Sequence, residues 1–352
     1  METKRIVIRA DGNRQIAMGH VMRCLSIADE LRERGANVIF VTAGDETGDL
    51  IRNRGYEDHV LNSDFAQMEQ ELPVLLGFLK KYQPDLILTD SYYVTDAYME
   101  ALRRICKTAY IDDLGQPVYP VDLLINYNIY GSELPYEKYY EEKSIPLPEC
   151  ILTGCGYAPL RAEFRQDRRS RVRDRVTDVL ITTGGGDKAN TAGRLCWKLL
   201  AERKKGQHAG IRYHVICGPF AQNRQELMEI AAEDDAFVIH DFVTNMSEFL
   251  ADYDLAVSAG GSTMYELCSM GLPTVCFTFA DNQRLQAECF DRTTEVKNAG
   301  NMTDHPEETI DRITERLTQL EQDSALRQTV REQMLGLVDG RGAIRIAEAL
   351  LL

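Results

Sequence analysis

The chain has 352 residues, 44% of them hydrophobic and 27% charged, with 40 Lys and Arg against 55 Asp and Glu for a formal charge of −15. That length favours two domains over one. The acidic balance argues against nonspecific nucleic-acid binding, which needs a net basic surface, and leaves room for a nucleotide held at a local site.

No apolar run approaches the roughly 20 residues that span a bilayer, and the amino terminus lacks a signal peptide's apolar core. The expectation is a cytoplasmic protein with no membrane span. The nine cysteines are scattered with no CxxC pair, so neither a zinc site nor a redox motif is expected. Cys150 and Cys155 read as buried free thiols.

In chain order, short apolar runs predict strands at 5–9, 38–42, 86–89, 108–112 and 123–126, alternating with helices at 20–34, 46–54, 65–82 and 97–105. Residues 129–144, rich in Tyr, Glu and Lys, read as an irregular surface connection. The charged stretch 165–175 reads as an exposed linker. The pattern then restarts with strands at 178–182, 213–218, 236–240, 255–258 and 274–278, and helices at 189–202, 226–232, 246–251 and 262–270. The tail, 307–352, is helical by pattern and broken near 339–342.

The fold class is therefore α/β, with two Rossmann-like domains facing a cleft. The expected division is 1–165, then 166–338, then a helix in 339–352 returning to the first domain. Ligands of open α/β sheets bind at the carboxyl ends of the strands, and the motifs below all lie there.

The first motif is Arg9-Ala10-Asp11-Gly12-Asn13, followed by Gly19-His20-Val21-Met22-Arg23-Cys24-Leu25. His20 sits where a loop becomes a helix, a place where a side chain and free backbone N–H groups face one ligand. An imidazole there can move a proton near neutral pH; a capping or packed histidine is the plainer alternative. The second motif is Gly184-Gly185-Gly186-Asp187. It suits close approach of backbone amides to a phosphate, or a tight turn with Asp187 as a helix cap. Its spacing is neither a Walker loop nor the dinucleotide fingerprint.

The third motif is Ser258-Ala259-Gly260-Gly261-Ser262-Thr263. Gly260 and Gly261 permit backbone approach, and Ser262 and Thr263 can donate to phosphate oxygens. Glu266 lies one helical turn on, where a carboxylate can accept both hydroxyls of a ribose. The alternative is a capping pair, Ser262 with Glu266. Asn282 and Gln283, beyond the next strand, favour the nucleotide reading. His240 at a strand end reads as structural or base-adjacent, and Phe242 beside it could hold a base.

The third motif, with Gly271-Leu272-Pro273 and Ala280-Asp281-Asn282-Gln283, resembles the nucleotide-sugar half of MurG-like GT-B proteins. The first motif narrows the resemblance to the PseG family, hydrolases of UDP-2,4-diacetamido-2,4,6-trideoxy-β-L-altropyranose, and to SpsG-type spore coat polysaccharide proteins. Asp90 with Tyr92, Ile111-Asp112-Asp113, Asp122, Gly156-Tyr157, Leu160-Arg161, Glu163-Phe164, Gly185, Asp187 and Asn190 are further matches, so the likeness runs from residue 8 to about 342.

The resemblance implies hydrolysis that needs no metal and no cofactor: water attacks C1 with inversion and UDP leaves. It implies His20 as general base, with Asp11 orienting the imidazole or holding the sugar. Gly12, Asn13, Arg23, Asp90, Tyr92, Asn126 and Arg161 fall on the substrate side, with Arg23 free to pair with a carboxylate across the cleft. Gly185, Asp187, Phe242, Gly260, Gly261, Ser262, Thr263, Glu266, Asn282 and Gln283 fall on the nucleotide side.

The partner implied is a small UDP-sugar, and no oligomeric state is readable. Two positions depart from the family's pattern: Ala17 and Tyr93 stand where glycine is usual. Two other functions compete. One is a GT-B glycosyltransferase with an acceptor hydroxyl in place of water; the acidic residues at 69–71, where MurG-type transferases present a basic, apolar membrane patch, weigh against it. The other is a nucleotide-sugar binder without catalysis.

Overall fold

A computed structural model describes residues 3–165, 172–184, 186–218, 221–241 and 243–352. The chain divides into two compact units, Met1–Arg161 with Arg341–Leu352, and Ala162–Gly340.

Unit one alternates β1 (Arg5–Ala10), α1 (Gly19–Glu33), β2 (Asn37–Thr42), α2 (Gly48–Asn53), β3 (Glu57–Val60), α3 (Met68–Tyr82), β4 (Leu86–Asp90), α4 (Asp96–Arg103) and β5 (Lys107–Ile111). Then come β6 (Leu123–Asn126), α5 (Tyr136–Lys143) and β7 (Cys150–Thr153). The strands form one parallel sheet in the order β3-β2-β1-β4-β5-β6-β7. Helices on both faces explain why β1 and β4 read as continuous apolar runs: Ile6, Val7, Ile8, Ile87 and Leu88 are all fully buried. Chain order reverses between β1 and β4, where Ala10 is registered with Asp90. A crevice at the carboxyl ends of the strands opens at such a reversal.

Three features of this unit differ from expectation. Strands β3 and β7 were not expected: β3 (Glu57–Val60) carries little apolar pattern and β7 (Cys150–Thr153) is short, and as edge strands both are held by backbone pairing on one side, to β2 and β6 respectively. Residues 129–144 are not an irregular connection but contain α5. Tyr136 and Tyr140, one turn apart, are buried beneath it; the Tyr136 hydroxyl donates to Asp112 Oδ2 (2.6 Å) and the Tyr140 hydroxyl to the carbonyl of Tyr119 (2.9 Å). Helix α3 starts at Met68 rather than 65, because Asp64 turns the chain by accepting the Ala66 N–H.

The last helix, α13 (Gly342–Leu350 in the sequence), belongs to unit one and packs on α1. Gly342 makes the approach possible: a Cβ there would lie 2.1 Å from the Ala158 carbonyl oxygen. Arg345 adds a hydrogen bond from Nη1 to the Gly156 carbonyl (2.7 Å).

Unit two contains β8 (Asp178–Thr182), α6 (Thr191–Arg203), β9 (Arg212–Ile216), α7 (Arg224–Glu233), β10 (Phe237–His240), α8 (Met246–Leu250), β11 (Leu255–Ala259) and α9 (Thr263–Met270). It continues with β12 (Thr274–Thr278), α10 (Arg284–Thr293), β13 (Asn298–Asn301), α11 (Pro306–Gln322) and α12 (Ser324–Leu337). Its parallel sheet runs β10-β9-β8-β11-β12-β13, so order reverses between β8 and β11. The glycine motifs follow these two strands.

Helix α10 and edge strand β13 were not expected, and the tail breaks once more at Asp323, whose carboxylate caps α12 by accepting the Leu326 N–H (2.9 Å). Arg327 is 1% exposed and faces four carbonyls instead of a carboxylate. Nη1 donates to Leu320 and Glu321, and Nη2 to Arg173 and Asp174. Of the expected linker, 173–175 are exposed and 166–171 lie outside the described residues. All nine cysteines are free thiols, with Cys106 and Cys150 half-buried and the rest buried. Among the described residues, no helix is long and apolar enough to cross a membrane.

Candidate active site

In unit one, a tight loop leads from β1 to α1. Asn13 folds it by accepting the N–H groups of Gln15 (2.8 Å) and Ile16 (3.1 Å) on Oδ1, and the Asn13 N–H donates to the Ala17 carbonyl (3.2 Å). Ala17 is left-handed, with φ +58°, the conformation for which glycine is the ordinary residue. The loop sets His20 in the first turn of α1, 5% exposed.

His20 Nδ1 lies 2.7 Å from Asp90 Oδ1, at the end of β4. Asp90 is 1% exposed and surrounded by donors: Arg23 Nε reaches Oδ2 at 2.6 Å, Arg23 Nη2 reaches Oδ1, and the Cys24 thiol reaches Oδ2 at 3.5 Å. Burial alone would push this carboxyl up, but the Arg23 charge and then His20 outweigh it and hold it well below the usual carboxylate range. An ionised Asp90 can only accept, so it holds the proton on Nδ1 as a hydrogen-bond donor and leaves the Nε2 lone pair available; Arg23 Nη2 lies 2.9 Å from the same Nδ1. No other hydrogen bond to Nε2 is found among the described residues. Tyr92 sets its ring edge-on to His20, with centroids 4.7 Å apart and planes at 78°.

Arg23 also donates from Nη1 to Asp113 Oδ2 (2.7 Å) and to the Tyr127 hydroxyl. Tyr92 donates its hydroxyl to Asp113 Oδ2 (3.2 Å). A second buried cation sits one strand over. Arg9 on β1 is fully buried and forks onto Glu71 (Nε to Oε1 2.7 Å, Nη2 to Oε2 2.8 Å), while Nη1 meets Asp11 Oδ2 at 2.5 Å. Tyr98 and Ser63 donate to Glu71, and the Ala43 N–H donates to Asp11 Oδ1 (2.7 Å).

These contacts correct several expectations. The carboxylate on the imidazole is Asp90, not Asp11, because Asp90 ends the strand beside β1 while Asp11 is drawn to Arg9 and Ala43. Asp90, expected on the substrate side, bonds to His20 and Arg23. Arg23 pairs with carboxylates of its own unit. Asn126, expected on the sugar, is fully buried; its Nδ2 donates to the Tyr136 hydroxyl (2.7 Å) and its Oδ1 accepts the Asn128 N–H (3.1 Å) and Nδ2 (3.0 Å), so it holds the turn after β6. Tyr93 is 39% exposed and packs edge-on to Phe65. Arg161 is half-buried at the end of the unit's main segment.

In unit two, the chain leaves β11 through Gly260 and Gly261 and enters α9. Gly260 donates its N–H to the Phe277 carbonyl (2.8 Å) and Gly261 donates its own to the Ala259 carbonyl (2.8 Å), so these two amides, expected on a phosphate, are spent within the turn; the Gly261 carbonyl accepts Gln286 Nε2 (3.0 Å). Ser262 makes no capping bond, which removes the plain alternative of a Ser262 cap. Thr263 and Glu266 are half-buried, Ser262 and Asn282 exposed. Gln283 steadies the neighbouring loop by accepting the Phe279 N–H on Oε1 (3.0 Å).

The loop after β8 behaves differently. Asp187 accepts the N–H groups of Thr191 (2.7 Å) and Ala192 (2.8 Å) and the Asn223 amide (2.8 Å). A carboxylate thus already occupies the amino end of α6, where a phosphate would sit. Asp187 is the cap of the alternative reading rather than a nucleotide ligand. Gly185 and Phe242 lie outside the described residues. His240 Nε2 lies 3.0 Å from His214 Nδ1, and His214 Nε2 lies 3.1 Å from Asp178 Oδ1, a structural chain across β10, β9 and β8. Among the described residues, no group of three His, Cys, Asp or Glu is placed to hold a metal.

The roles of Asp113, Arg9, Glu71 and Cys24 were missed. Asp113 had a legible signal, since Ile111-Asp112-Asp113 puts a carboxylate at the carboxyl end of a strand.

Residues 179–339 match the glycosyltransferase family 28 C-terminal domain. The chain is 30% identical over 298 residues to an uncharacterised protein of Methanocaldococcus jannaschii, covering 82% of this chain and 57% of that one. It is 24% identical over 354 residues to the spore coat polysaccharide biosynthesis protein SpsG of Bacillus subtilis, with 97% and 96% covered. It is 26% identical over 197 residues to the UDP-2,4-diacetamido-2,4,6-trideoxy-beta-L-altropyranose hydrolase of Campylobacter jejuni, with 55% and 65% covered. The chain thus spans less than two thirds of the length of the first and third of these relatives. The crystal structure of Acinetobacter baumannii MurG superposes with a TM-score of 0.69 at 14% identity, covering 99% of each chain.

The chain has the GT-B fold. Within this GT-B chain, the family 28 match falls on unit two and contains the Gly260 turn. The His20 group lies outside it.

Proposed function

We propose that this GT-B chain hydrolyses a nucleotide sugar at C1 and releases UDP. The observation that carries the reading is the buried His20–Asp90 pair, which leaves Nε2 as a general base. Nε2 takes a proton from water as the water oxygen bonds to C1. The bond from C1 to the diphosphate oxygen breaks, and UDP leaves on the face opposite the attack, inverting the anomeric centre. Asp90 stabilises the imidazolium formed. The leaving diphosphate is already a stable anion and needs no strong acid. The amino end of α9 and the hydroxyls of Ser262 and Thr263 stabilise its charge, and Glu266 accepts the ribose hydroxyls.

Uridine, and a sugar of the 2,4-diacetamido-2,4,6-trideoxy class used in nonulosonate or surface polysaccharide synthesis, are supported by the likeness to the Campylobacter hydrolase and to SpsG. A second reading is transfer of the sugar to an acceptor hydroxyl, favoured by the family 28 match; the same base would deprotonate the acceptor.

Incubation with UDP-sugars, with and without acceptor and chelator, separates the two. UDP release without acceptor and in the presence of chelator is the outcome expected of the hydrolase; release only with an acceptor establishes transfer. His20→Ala should keep UDP affinity and lose turnover by about 10²–10⁴-fold. Full activity in that variant would remove His20 as the base.

A further inference from the structure

Arg23 is one cation held between two carboxylates. From α1 it forks onto Asp90 with Nε (2.6 Å to Oδ2) and Nη2, and with Nη1 it reaches Asp113 Oδ2 (2.7 Å) and the Tyr127 hydroxyl. The Asp90 side chain is fully buried and that of Asp113 nearly so. With His20 neutral, the group keeps one negative charge unmatched.

Two opposed effects therefore act on the imidazole. Asp90, 2.7 Å from Nδ1, favours positive charge on the ring; Arg23 Nη2, 2.9 Å from the same atom, opposes it. Charges this close act strongly where little water screens them. How far Arg23 offsets Asp90 depends on Asp113, which draws the guanidinium from its other end. Asp113 is fixed in place: the Tyr92 hydroxyl donates to Oδ2 (3.2 Å), Asn128 Nδ2 to Oδ1 (3.3 Å) and the Tyr130 hydroxyl to the backbone carbonyl. Burial would lower the guanidinium, but the charges of Asp113 and then Asp90 outweigh it, so Arg23 is a permanent cation.

The remaining groups around this set are neutral or matched. Burial keeps the Cys24 thiol on α1 and the Tyr127 phenol beyond β6 protonated. Tyr92 lies edge-on to the His20 ring. At β1, Arg9 and Asp11 meet each other, and Arg9 meets Glu71.

We propose that Asp113 is a positioning residue for the base: it shares the Arg23 charge with Asp90 and so sets how readily His20 takes a proton. The proposal rests on His20 as the base and extends the machinery to a carboxylate that does not touch the imidazole.

The test follows the His20 ring by NMR across pH in a histidine-labelled chain, its signal among the six histidines identified by its loss in His20→Gln. Asp113→Asn keeps the shape, removes one negative charge and leaves the guanidinium to Asp90 and the imidazole. The ring should then titrate at least about 0.5 pH unit lower than in the wild type. Arg23→Gln leaves Asp90 unopposed, and the ring should titrate at least about 0.5 pH unit higher. The acidic limb of the turnover profile should move with the ring in each variant. Loss of a merely structural contact would not give shifts of opposite sign. Each variant is first shown to melt cooperatively, and where only one does, that one decides. An unmoved ring, or a shift in the opposite direction, overturns the proposal. The titration needs no substrate: a ring that moves as expected in a chain that releases no UDP keeps the charge assignment and removes the hydrolase reading.

Discussion

Ala17 is held at φ +58°, a conformation that glycine adopts without the steric cost a Cβ carries. Ala17→Gly should therefore stabilise the protein by roughly 1 kcal/mol, the usual cost of a left-handed alanine set against the entropy glycine brings to the unfolded chain. A rise of a few degrees in the melting temperature checks it; a fall would mean the methyl packs. Asp90→Asn tests the neighbouring dyad. An amide can donate to Nδ1 and fix the wrong tautomer, so turnover should fall by about 10³–10⁴-fold while UDP affinity holds. The sequence made His20 legible through its place at a loop-to-helix junction. It did not reveal which carboxylate would meet it. Asp11, Asp90 and Asp113 all end strands, and the choice among them depends on strand order and on the competing pull of Arg9.

At the scale of elements, legibility followed burial. The central strands are apolar on both faces and announce themselves. Edge strands β3 and β13 do not, because backbone pairing sustains them. Helix α5 was hidden in a stretch of Tyr, Glu and Lys that reads as surface, though two tyrosines four residues apart anchor it. The glycine opening α13 makes an element-scale prediction. In Gly342→Ala the new methyl would meet the Ala158 carbonyl, and backbone cannot yield as a flexible side chain can. The cost should be about 1–3 kcal/mol, in line with overpacking elsewhere. Amide exchange should rise in α13 and in the facing surface of α1. Unchanged exchange there would show that the helix tolerates the shift.

For the molecule as a whole, the alternation of strands and helices in two blocks was enough to give two parallel-sheet units. Stability against pH is also set at this scale. The Glu321 hydrogen bond, outweighing burial and joined by Glu202, raises His208 above its ordinary value. This contribution is complete below the unfolded value of about 6.5 and is lost as pH rises through the folded one. His240, lowered first by burial and then by His214, acts in the opposite sense: its contribution is present above about 6.5 and lost as pH falls through its folded value. His208→Gln should therefore flatten the alkaline fall in the urea midpoint and leave the acidic side unchanged. An unaltered alkaline limb would place the dependence elsewhere.

The nine unpaired cysteines have a practical corollary. Cys24, Cys106, Cys150 and Cys155 lie in unit one, and Cys196, Cys217, Cys268, Cys276 and Cys289 in unit two. With seven of them buried, a thiol-modifying reagent in rising denaturant, read out by peptide mass, becomes a native clock. The order in which the two sets gain label tells which half of the chain opens first, with no probe added to the protein.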